Sequence, residues 1–329
     1  MGFVLETVSF EEFLRITGER EALELYREVP FPNYGYDRLV DLFHQFCLVG
    51  GIPEVVRMYG AKKQIQALAP MYLKHLEILF YKASSLGSTS KTSERLLQIY
   101  QDTFPFAGTR IKYSGFSNPG FRSREIGNAF RLFQEQGLLR LLFPTTQAIL
   151  PWQIDTSRSP RIQLPDTGLV NYFTGIQDAL SEQHDLSSVF DRQISLHIVA
   201  QELMQSTLTS GQADERTGGQ ADKQTGEMGD VYFWVRAKTQ SSAEVDFVIG
   251  HEGLMIPVEV KKGESGRLRS LHQFVDASPH PFAVRLYAGP LMVRETRTIT
   301  GKIVYLMSLP YFLAGKIREH LEGFIKFVN

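Results

Sequence analysis

Two carboxylates and one amine near residue 250 have the types and spacing of a site that cleaves phosphodiesters. Asp246 lies in the alternating segment 244–249, and Glu259 and Lys261 lie two residues apart in the segment 254–261. A short polar turn with glycine at both ends separates the segments, so the pattern predicts a β-hairpin. Because neighbouring carboxylates repel each other, they favour a divalent cation, and hard oxygen ligands suit Mg²⁺. A lysine beside such a site stabilises the charge that develops during attack.

In this interpretation Asp246 and Glu259 hold Mg²⁺, Lys261 positions the attacking water, and Glu244 assists. The same sequence pattern also fits an ordinary β-hairpin with a solvated charged face, because charged residues are usually exposed. In that hairpin Lys261 pairs with Glu259 or Asp246 across the strands and adds about 0.2–1 kcal/mol. Nothing in the residues separates these two interpretations.

Composition and charge bound the protein class. The chain has 329 residues with 43% hydrophobic and 22% charged residues, which predicts a soluble globular protein of two or three domains. The net charge of −1 means that any nucleic-acid site is a local patch. The single cysteine, Cys47, excludes an internal disulfide and a cysteine-based zinc site, which favours a cytoplasmic location. No apolar run of about 20 residues occurs, so we expect no membrane partner.

Helices dominate the first part of the chain. Ser9 and Glu12 have the spacing of a capping box at the start of a helix. An apolar strand is predicted at 3–8, and further helices at 19–28, 37–49 and 53–60, with a long helix at 61–79 that breaks at Pro70. Short strands and helices follow after residue 138. The pattern predicts the α/β (α+β) class.

A second group of charged residues surrounds a helix predicted over 124–136 and capped by Ser123. Helix, glycine and strand follow one another here, which is the order of a winged-helix unit. The predicted phosphate contacts are Arg122, Arg124, Arg131 and Lys112. Alternatively, the helix packs within the protein and the arginines are merely solvated, because Glu125 and Glu135 dilute the positive charge.

Four segments carry a resemblance to a known family. They are VSFEEFL at 8–14, GGIPEVV at 50–56, DTGL at 166–169, and AEVDFVI with PVEVKKG at 243–263. Together they resemble a family of prokaryotic AAA-type ATPases that carry a C-terminal domain of unknown function. The last segment resembles the active-site hairpin of the PD-(D/E)XK nuclease superfamily.

The resemblance implies three parts. Residues 1–85 would be the end of the ATPase core and its helical lid, residues 86–160 a winged-helix-like domain, and residues 161–329 a nuclease-like αβββαβ domain. The repetitive stretch 209–230 predicts a disordered insertion. Asp166 is expected to be the N-cap of a helix, and Gln273 is a polar candidate on the helix that follows Lys261.

The sequence departs from the family at two places. No G-x-x-x-x-G-K-[ST] sequence occurs, so we expect no ATP site and no ATPase activity from this chain alone, which looks like a truncated member. An ATPase core on another chain would then be a partner. Leu196 stands where many relatives have a helical glutamate that binds the metal, and His197 beside it is expected to be a packed or surface histidine and not a metal ligand.

Two functions follow from these patterns. The first is an accessory module of an AAA-type ATPase, with a degenerate nuclease-like fold that binds nucleic acid or a partner without cutting. The missing glutamate and the missing P-loop favour it. The alternative is an active Mg²⁺-dependent PD-(D/E)XK nuclease that uses Asp246, Glu259, Lys261 and Glu244.

Overall fold

The structure is a computed structural model that describes residues 5–177, 192–214, 231–237, 243–261 and 268–328. Helices and one mixed sheet confirm the predicted α+β class. The chain divides into a first unit (1–20, 41–142 and 159–198) and a second unit (21–40, 143–158 and 199–329). These units do not coincide with the three predicted parts of the chain, which stay predictions.

Eleven α-helices lie within the described residues, with 3₁₀ turns between some of them. They are α1 Phe10–Ile16, α2 Arg20–Arg27, α3 Tyr36–Val49, α4 Pro53–Lys62, α5 Ala69–Ser85, α6 Ser90–Gln101, α7 Ser123–Glu135, α8 Thr167–Phe173, α9 Arg192–Asp214, α10 Arg269–Ala277 and α11 Ile317–Val328. The predicted capping box opens α1, since Ser9 Oγ accepts from Glu12 N–H at 3.3 Å and Glu12 accepts from Ser9 N–H at 3.1 Å.

Nine strands form two sheets within the same ranges. They are β1 Arg140–Leu142, β2 Pro144–Thr145, β3 Arg161–Gln163, β4 Tyr232–Val235, β5 Glu244–His251, β6 Leu254–Lys261, β7 Phe282–Tyr287, β8 Met292–Arg297 and β9 Ile303–Pro310. In the first unit β1 pairs with β3, and in the second unit the order is β2-β4-β5-β6-β7-β9-β8. The neighbours β6, β7 and β9 run parallel, whereas β5 and β8 run antiparallel to theirs.

A buried carboxylate ties two distant segments of the first unit together. Asp166 caps α8, because its Oδ1 accepts the N–H of Leu169 at 2.9 Å, and its Oδ2 accepts the N–H of Gly51 at 2.6 Å. Burial raises the pKa of Asp166 to about 6, and the backbone N–H donors act in the opposite direction. The predicted N-cap role is confirmed, and we call this contact the Asp166 junction.

The residues around α8 also satisfy the last carbonyl groups of α3, which have no partner inside the helix. Asn171 Nδ2 donates to Cys47 O at 2.7 Å, Gln177 Nε2 to Leu48 O at 2.7 Å, and Tyr72 OH to Val49 O at 2.8 Å. Gly50 has φ +74°, and a Cβ there or on Gly168 would overlap the junction. The GGIP and DTGL sequences therefore act as two halves of one structural contact.

The core of the second unit lies between the sheet and α10. Leu271, Phe274 and Val275 on α10 pack with Val248, Met255, Ala283, Val304 and Leu306 of the strands. The hairpin of β5 and β6 turns through Glu252 and Gly253, which have φ values of +47° and +76°. Two successive positive φ angles fit the tight turns that join antiparallel strands. The predicted hairpin is thus confirmed.

Several predicted elements were wrong. Residues 5–8 form no strand. Pro70 lies in the first turn of α5, where proline is well tolerated, instead of breaking a helix. Ser123 lies inside α7, whose N-cap is Arg122. Helix α9 continues to Asp214, so residues 209–214 of the predicted disordered insertion are helical. No proline in these residues stops the helix from extending. Residues 215–230 lie outside the described ranges.

Replacing Asp166 tests the junction. Asp166→Ala leaves the buried N–H groups of Gly51 and Leu169 without their acceptor, so we expect the free energy of unfolding to fall by about 3 kcal/mol at pH 7.5. Urea unfolding measures this change. The control Asp37→Ala removes an exposed carboxylate and should cost less than about 0.5 kcal/mol. Equal losses in the two variants would contradict the structural role of the junction.

Candidate functional site

The predicted site lies where the parallel strands of the second unit end. Because β6, β7 and β9 are parallel, their carboxyl ends share one edge of the sheet, and antiparallel β5 begins there. Ligands of open α/β sheets commonly bind at such an edge. Glu259 and Lys261 lie at the end of β6, and Glu244 and Asp246 lie at the start of β5.

The two carboxylates and the lysine come together at this edge. Asp246 is 1% exposed and its Oδ2 accepts the N–H of Val260 at 2.9 Å. Glu259 is 5% exposed, and Lys261 Nζ donates to its Oε1 at 2.6 Å. In the hairpin Phe247 pairs with Val258. If the same register continues by one residue toward the open end of the hairpin, Asp246 lies opposite Glu259. The structure therefore agrees with the expected proximity, and the catalytic roles stay predictions.

Glu244 sits at the same end of β5 in a half-buried position. Its backbone N–H donates to Ser270 Oγ at the start of α10 at 3.3 Å, which links the strand to the helix that follows β6. Gln273 lies one turn further along α10 and is also half-buried. The geometry does not assign a function to the side chain of Glu244 or Gln273. Both residues remain candidate members of the site.

The donor chemistry suits a hard cation in part. Asp246 and Glu259 supply two carboxylates, and Mg²⁺ is often held by one or two carboxylates with water and phosphate completing its shell. Lys261 competes for Glu259 in the geometry described. No group of three or more His, Cys, Asp or Glu residues capable of holding a metal occurs in the described ranges. Leu196 is buried and apolar, so it offers no oxygen ligand.

Sequence reasoning missed a second cation at this edge, the buried Arg285. The register places Arg285 directly beside Glu259 on one side and Ser308 on the other. Its Nε donates to Ser308 Oγ at 3.1 Å, and its guanidinium lies 4.4 Å from the centre of the Tyr287 ring. A charge in the middle of the apolar segment FAVRLY was the available signal, because buried charges need partners.

Alternation shows which face these groups share. Ala283 and Leu306 pack against α10, and Arg285 and Ser308 follow them two residues later on the same strands. Glu259, in register with Arg285, points to that face too. The α10 face is thus apolar along most of its length and becomes polar at the carboxyl edge, where two cations and two carboxylates balance each other.

His197, in the first unit, is a packed histidine, which is one of the two environments expected for it. Its Nε2 accepts the N–H of Leu164 at 3.1 Å, and its Nδ1 lies 2.7 Å from Thr167 Oγ1. Burial lowers the pKa of His197 to about 3. The ring is therefore neutral, and it supports the chain on either side of the Asp166 junction.

The predicted phosphate contacts lie on the first unit. Lys112, Arg122, Arg124 and Arg131 are all exposed, and we call them the basic surface. Arg124 and Arg131 are seven residues apart on α7, so they face the same way. Arg131 is close enough to oppose the rise that burial causes in the pKa of Tyr113, the neighbour of Lys112.

The negative charge of Glu125, which reduces the positive charge near the basic surface, is neutralised by an arginine. Glu125 Oε1 accepts from Arg95 Nη1 at 2.9 Å, and its Oε2 accepts the N–H of Arg122 at 2.8 Å. Glu135 is exposed at the far end of α7. The start of α7 and the strip next to Lys112 therefore carry net positive charge.

Comparisons with known families bear on both units. Residues 218–312 match a family described as Domain of unknown function (DUF4143), and residues 40–180 match one described as Domain of unknown function (DUF8612). The first match agrees with the predicted C-terminal domain of unknown function and contains the candidate site. Comparison with curated proteins and with solved structures gave no match. Among the described helices, none has the length and apolar character to cross a membrane.

The low pKa of His197 makes the stability depend on pH. The unfolded chain takes up a proton at this histidine from about pH 6.5 downward, and the folded chain does not until about pH 3, so stability is lost as the pH falls through this window. Between pH 7.5 and pH 5 we expect the wild type to lose about 2 kcal/mol relative to His197→Gln. Urea unfolding at both pH values measures this. His272→Gln, at a less buried histidine, should show a much smaller change, and equal changes would contradict the assignment.

A double-mutant cycle tests the ion pair at the site. Lys261→Met leaves the buried Glu259 without its ammonium partner, whereas Lys261→Met combined with Glu259→Gln removes both charges. We therefore expect the double variant to be more stable than the sum of the single losses predicts, by about 1–2 kcal/mol. Urea unfolding of the four proteins gives this coupling energy. Additive losses would mean that the 2.6 Å contact contributes nothing to folding.

Proposed function

We propose that this chain is an accessory module of an AAA-type ATPase system, and that it binds nucleic acid without cutting it. The observation that carries the proposal is the basic surface on α7 and the segment beside it. Four exposed cations line it, and Glu125, a carboxylate in the first turn of α7, is occupied by Arg95. The whole chain has a net charge of −1 and does not attract phosphate by its overall charge. Phosphate binding therefore requires a local concentration of positive charge such as the basic surface.

The element order around the basic surface supports this use. Helices α6 and α7 are followed by β1, and β1 pairs antiparallel with β3. Residues 107 and 110 also form isolated bridges with β3, one parallel and one antiparallel, so a third short segment lies against this small sheet. Two helices followed by a small antiparallel sheet are the parts of a winged-helix unit. In such units an exposed helix lies in the major groove, and its arginines contact phosphates and bases.

The region from α9 onward supports the non-cutting part of the proposal. The order α9, β4, β5, β6, α10, β7 follows the nuclease-like arrangement that the motifs resemble. Leu196 replaces the helical glutamate, and Lys261 occupies one of the two remaining carboxylates. A fold with these changes keeps its shape and loses part of its capacity for metal. The resemblance to AAA-type ATPases, with the match to a C-terminal domain of unknown function, supports the link to an ATPase partner.

A Mg²⁺-dependent nuclease is the second candidate, and one observation favours it. Asp246, Glu259 and Lys261 converge at the carboxyl edge of the parallel strands, as the nuclease hypothesis requires. In that case Asp246 and Glu259 would hold the cation, which would polarise the scissile phosphate. Lys261 would release Glu259 and orient a water molecule instead. Glu244 would lie at the margin of the site.

Binding is tested with the full chain and fluorescent duplex DNA, single-stranded DNA and RNA at several salt concentrations. We expect Arg124→Ala with Arg131→Ala to weaken binding by about tenfold or more and to lower the salt slope by about two, because two phosphate contacts are lost. The matched control is Arg57→Ala with Lys62→Ala on α4, which removes the same charge from exposed positions outside the basic surface. Equal weakening in both pairs, or no binding by the wild type, would overturn the proposal.

The same preparations decide between the two candidates. They are incubated with DNA and RNA in the presence of Mg²⁺ or Mn²⁺, beside Asp246→Ala and Lys261→Ala. The proposal expects no metal-dependent cleavage by any of the three proteins. Cleavage by the wild type that disappears in both variants would establish the nuclease instead.

A further inference from the structure

The strand β8 is an outer strand of the seven-stranded sheet and pairs along one side with β9 over six residues. The other side of such a strand presents backbone N–H and C=O groups, which form a template for another strand. Proteins often protect an outer strand with proline, a bulge or charges of one sign; MVRETR contains no proline, and its charged residues are of both signs. Its side chains are exposed or half-exposed on both faces of the sheet.

Both ends of β8 are held in place, so the strand is ready to pair without further ordering. At the start, Asn33 Oδ1 accepts the N–H of Leu291 at 2.9 Å, and Asn33 Nδ2 donates to Leu291 O at 3.4 Å. At the end, Thr298 N–H donates to Lys302 O at 2.9 Å and closes a turn. A preorganised strand loses less conformational entropy when it associates.

The charges of β8 complement each other in one register of self-pairing. Glu295 and Arg297 lie opposite Tyr305 and Ile303 of β9, so they point to the same face. A two-fold axis perpendicular to the sheet at Thr296 places Glu295 of one copy opposite Arg297 of the other, and this pair occurs twice. Opposite charges directly across antiparallel strands are stabilising.

Neighbouring registers lack this complementarity. A two-fold axis at Arg294, Glu295 or Arg297 places that charged residue directly opposite the same residue of the second copy. Like charges in this position repel each other, so the register is unfavourable. The axis at Thr296 instead places a hydroxyl against a hydroxyl. It also brings Val293, which is 41% exposed, opposite the turn that carries Ile299, which is 84% exposed. The same register thus covers two exposed apolar side chains.

Arg297 can make this contact and keep its existing hydrogen bond. Its Nη1 donates to Gly301 O at 3.1 Å, which fixes the guanidinium at the end of the strand. A guanidinium has five N–H donors in a rigid fork, so a single carbonyl leaves donors for a carboxylate. Glu295 supplies that carboxylate in the second copy.

We propose that this chain dimerises by antiparallel pairing of β8 with β8 of a second copy about Thr296. The two seven-stranded sheets then form one continuous sheet. The contact is small, so the dimer is concentration-dependent. This inference does not depend on the proposed nucleic-acid binding, because β8 belongs to the second unit and the basic surface belongs to the first.

Charge reversal tests the register by sedimentation equilibrium of the full chain. Glu295→Arg and Arg297→Glu each set like charges against each other in both pairs, so we expect each to raise the dimer dissociation constant by about tenfold or more. The double variant Glu295→Arg with Arg297→Glu restores opposite charges and should return to within about threefold of the wild type. A wild type that stays monomeric, single variants that dimerise normally, or a double variant that stays weak would each overturn the proposal.

A disulfide provides a second, independent measurement. Residues opposite each other across antiparallel strands have Cα atoms about 4.5–5.5 Å apart, which a disulfide can bridge. Thr296→Cys should therefore form a covalent dimer under mild oxidation. The native Cys47 is buried and does not compete. The control Arg269→Cys places an exposed thiol on α10. Equal cross-linking of both variants, or none with Thr296→Cys, would overturn the register.

Discussion

A charged or polar group that is taken out of water needs a partner, and this requirement shapes both units. In the first unit the carboxylate of Asp166 receives backbone N–H groups from two segments more than a hundred residues apart in the chain. In the second unit Glu259 receives Lys261, and Arg285 donates to Ser308. Because breaking such a contact leaves a buried group unsatisfied, each one fixes the position of the backbone around it.

The sequence was informative where the signal was local. The capping box at Ser9, the N-cap at Asp166 and the hairpin of β5 and β6 all depend on residues a few positions apart, and all three were confirmed. Pro70 was misread because proline both interrupts helices and begins them, and only the neighbouring turns decide between these uses. The end of α9 was misread because polar composition alone does not stop a helix.

The candidate site could be predicted in part, for a related reason. Asp246, Glu259 and Lys261 lie on two strands joined by a short turn, so their proximity follows from the hairpin register. Arg285 reaches the site through a parallel strand that follows α10, and no local pattern specifies which strand lies next to β6. The β8 strand and α11 were missed as well, since their place in the fold is set by β9 and by the packing of the second unit.

The polar edge of the α10 face has consequences for chemistry whichever function holds. Two carboxylates and two cations share a small buried region, so its formal charge is close to balanced before any ligand arrives. A charged ligand that uses Glu259 or Lys261 must therefore displace the partner that the residue already has. Binding there depends on exchange of partners, and the net affinity reflects the difference between the contacts made and the contacts broken.

The short strand β2 has a further consequence for how this polypeptide evolves. It comes from Phe143–Arg158, a segment that lies some forty residues before the last and longest piece of the second unit, and it pairs in parallel with β4. Recombination that moved only the region from β4 onward would leave the backbone of β4 without its outer neighbour. A transfer that keeps the second unit complete must therefore include the residues of the first unit that lie between its pieces. We expect recombination to transfer the two units together, as one gene segment.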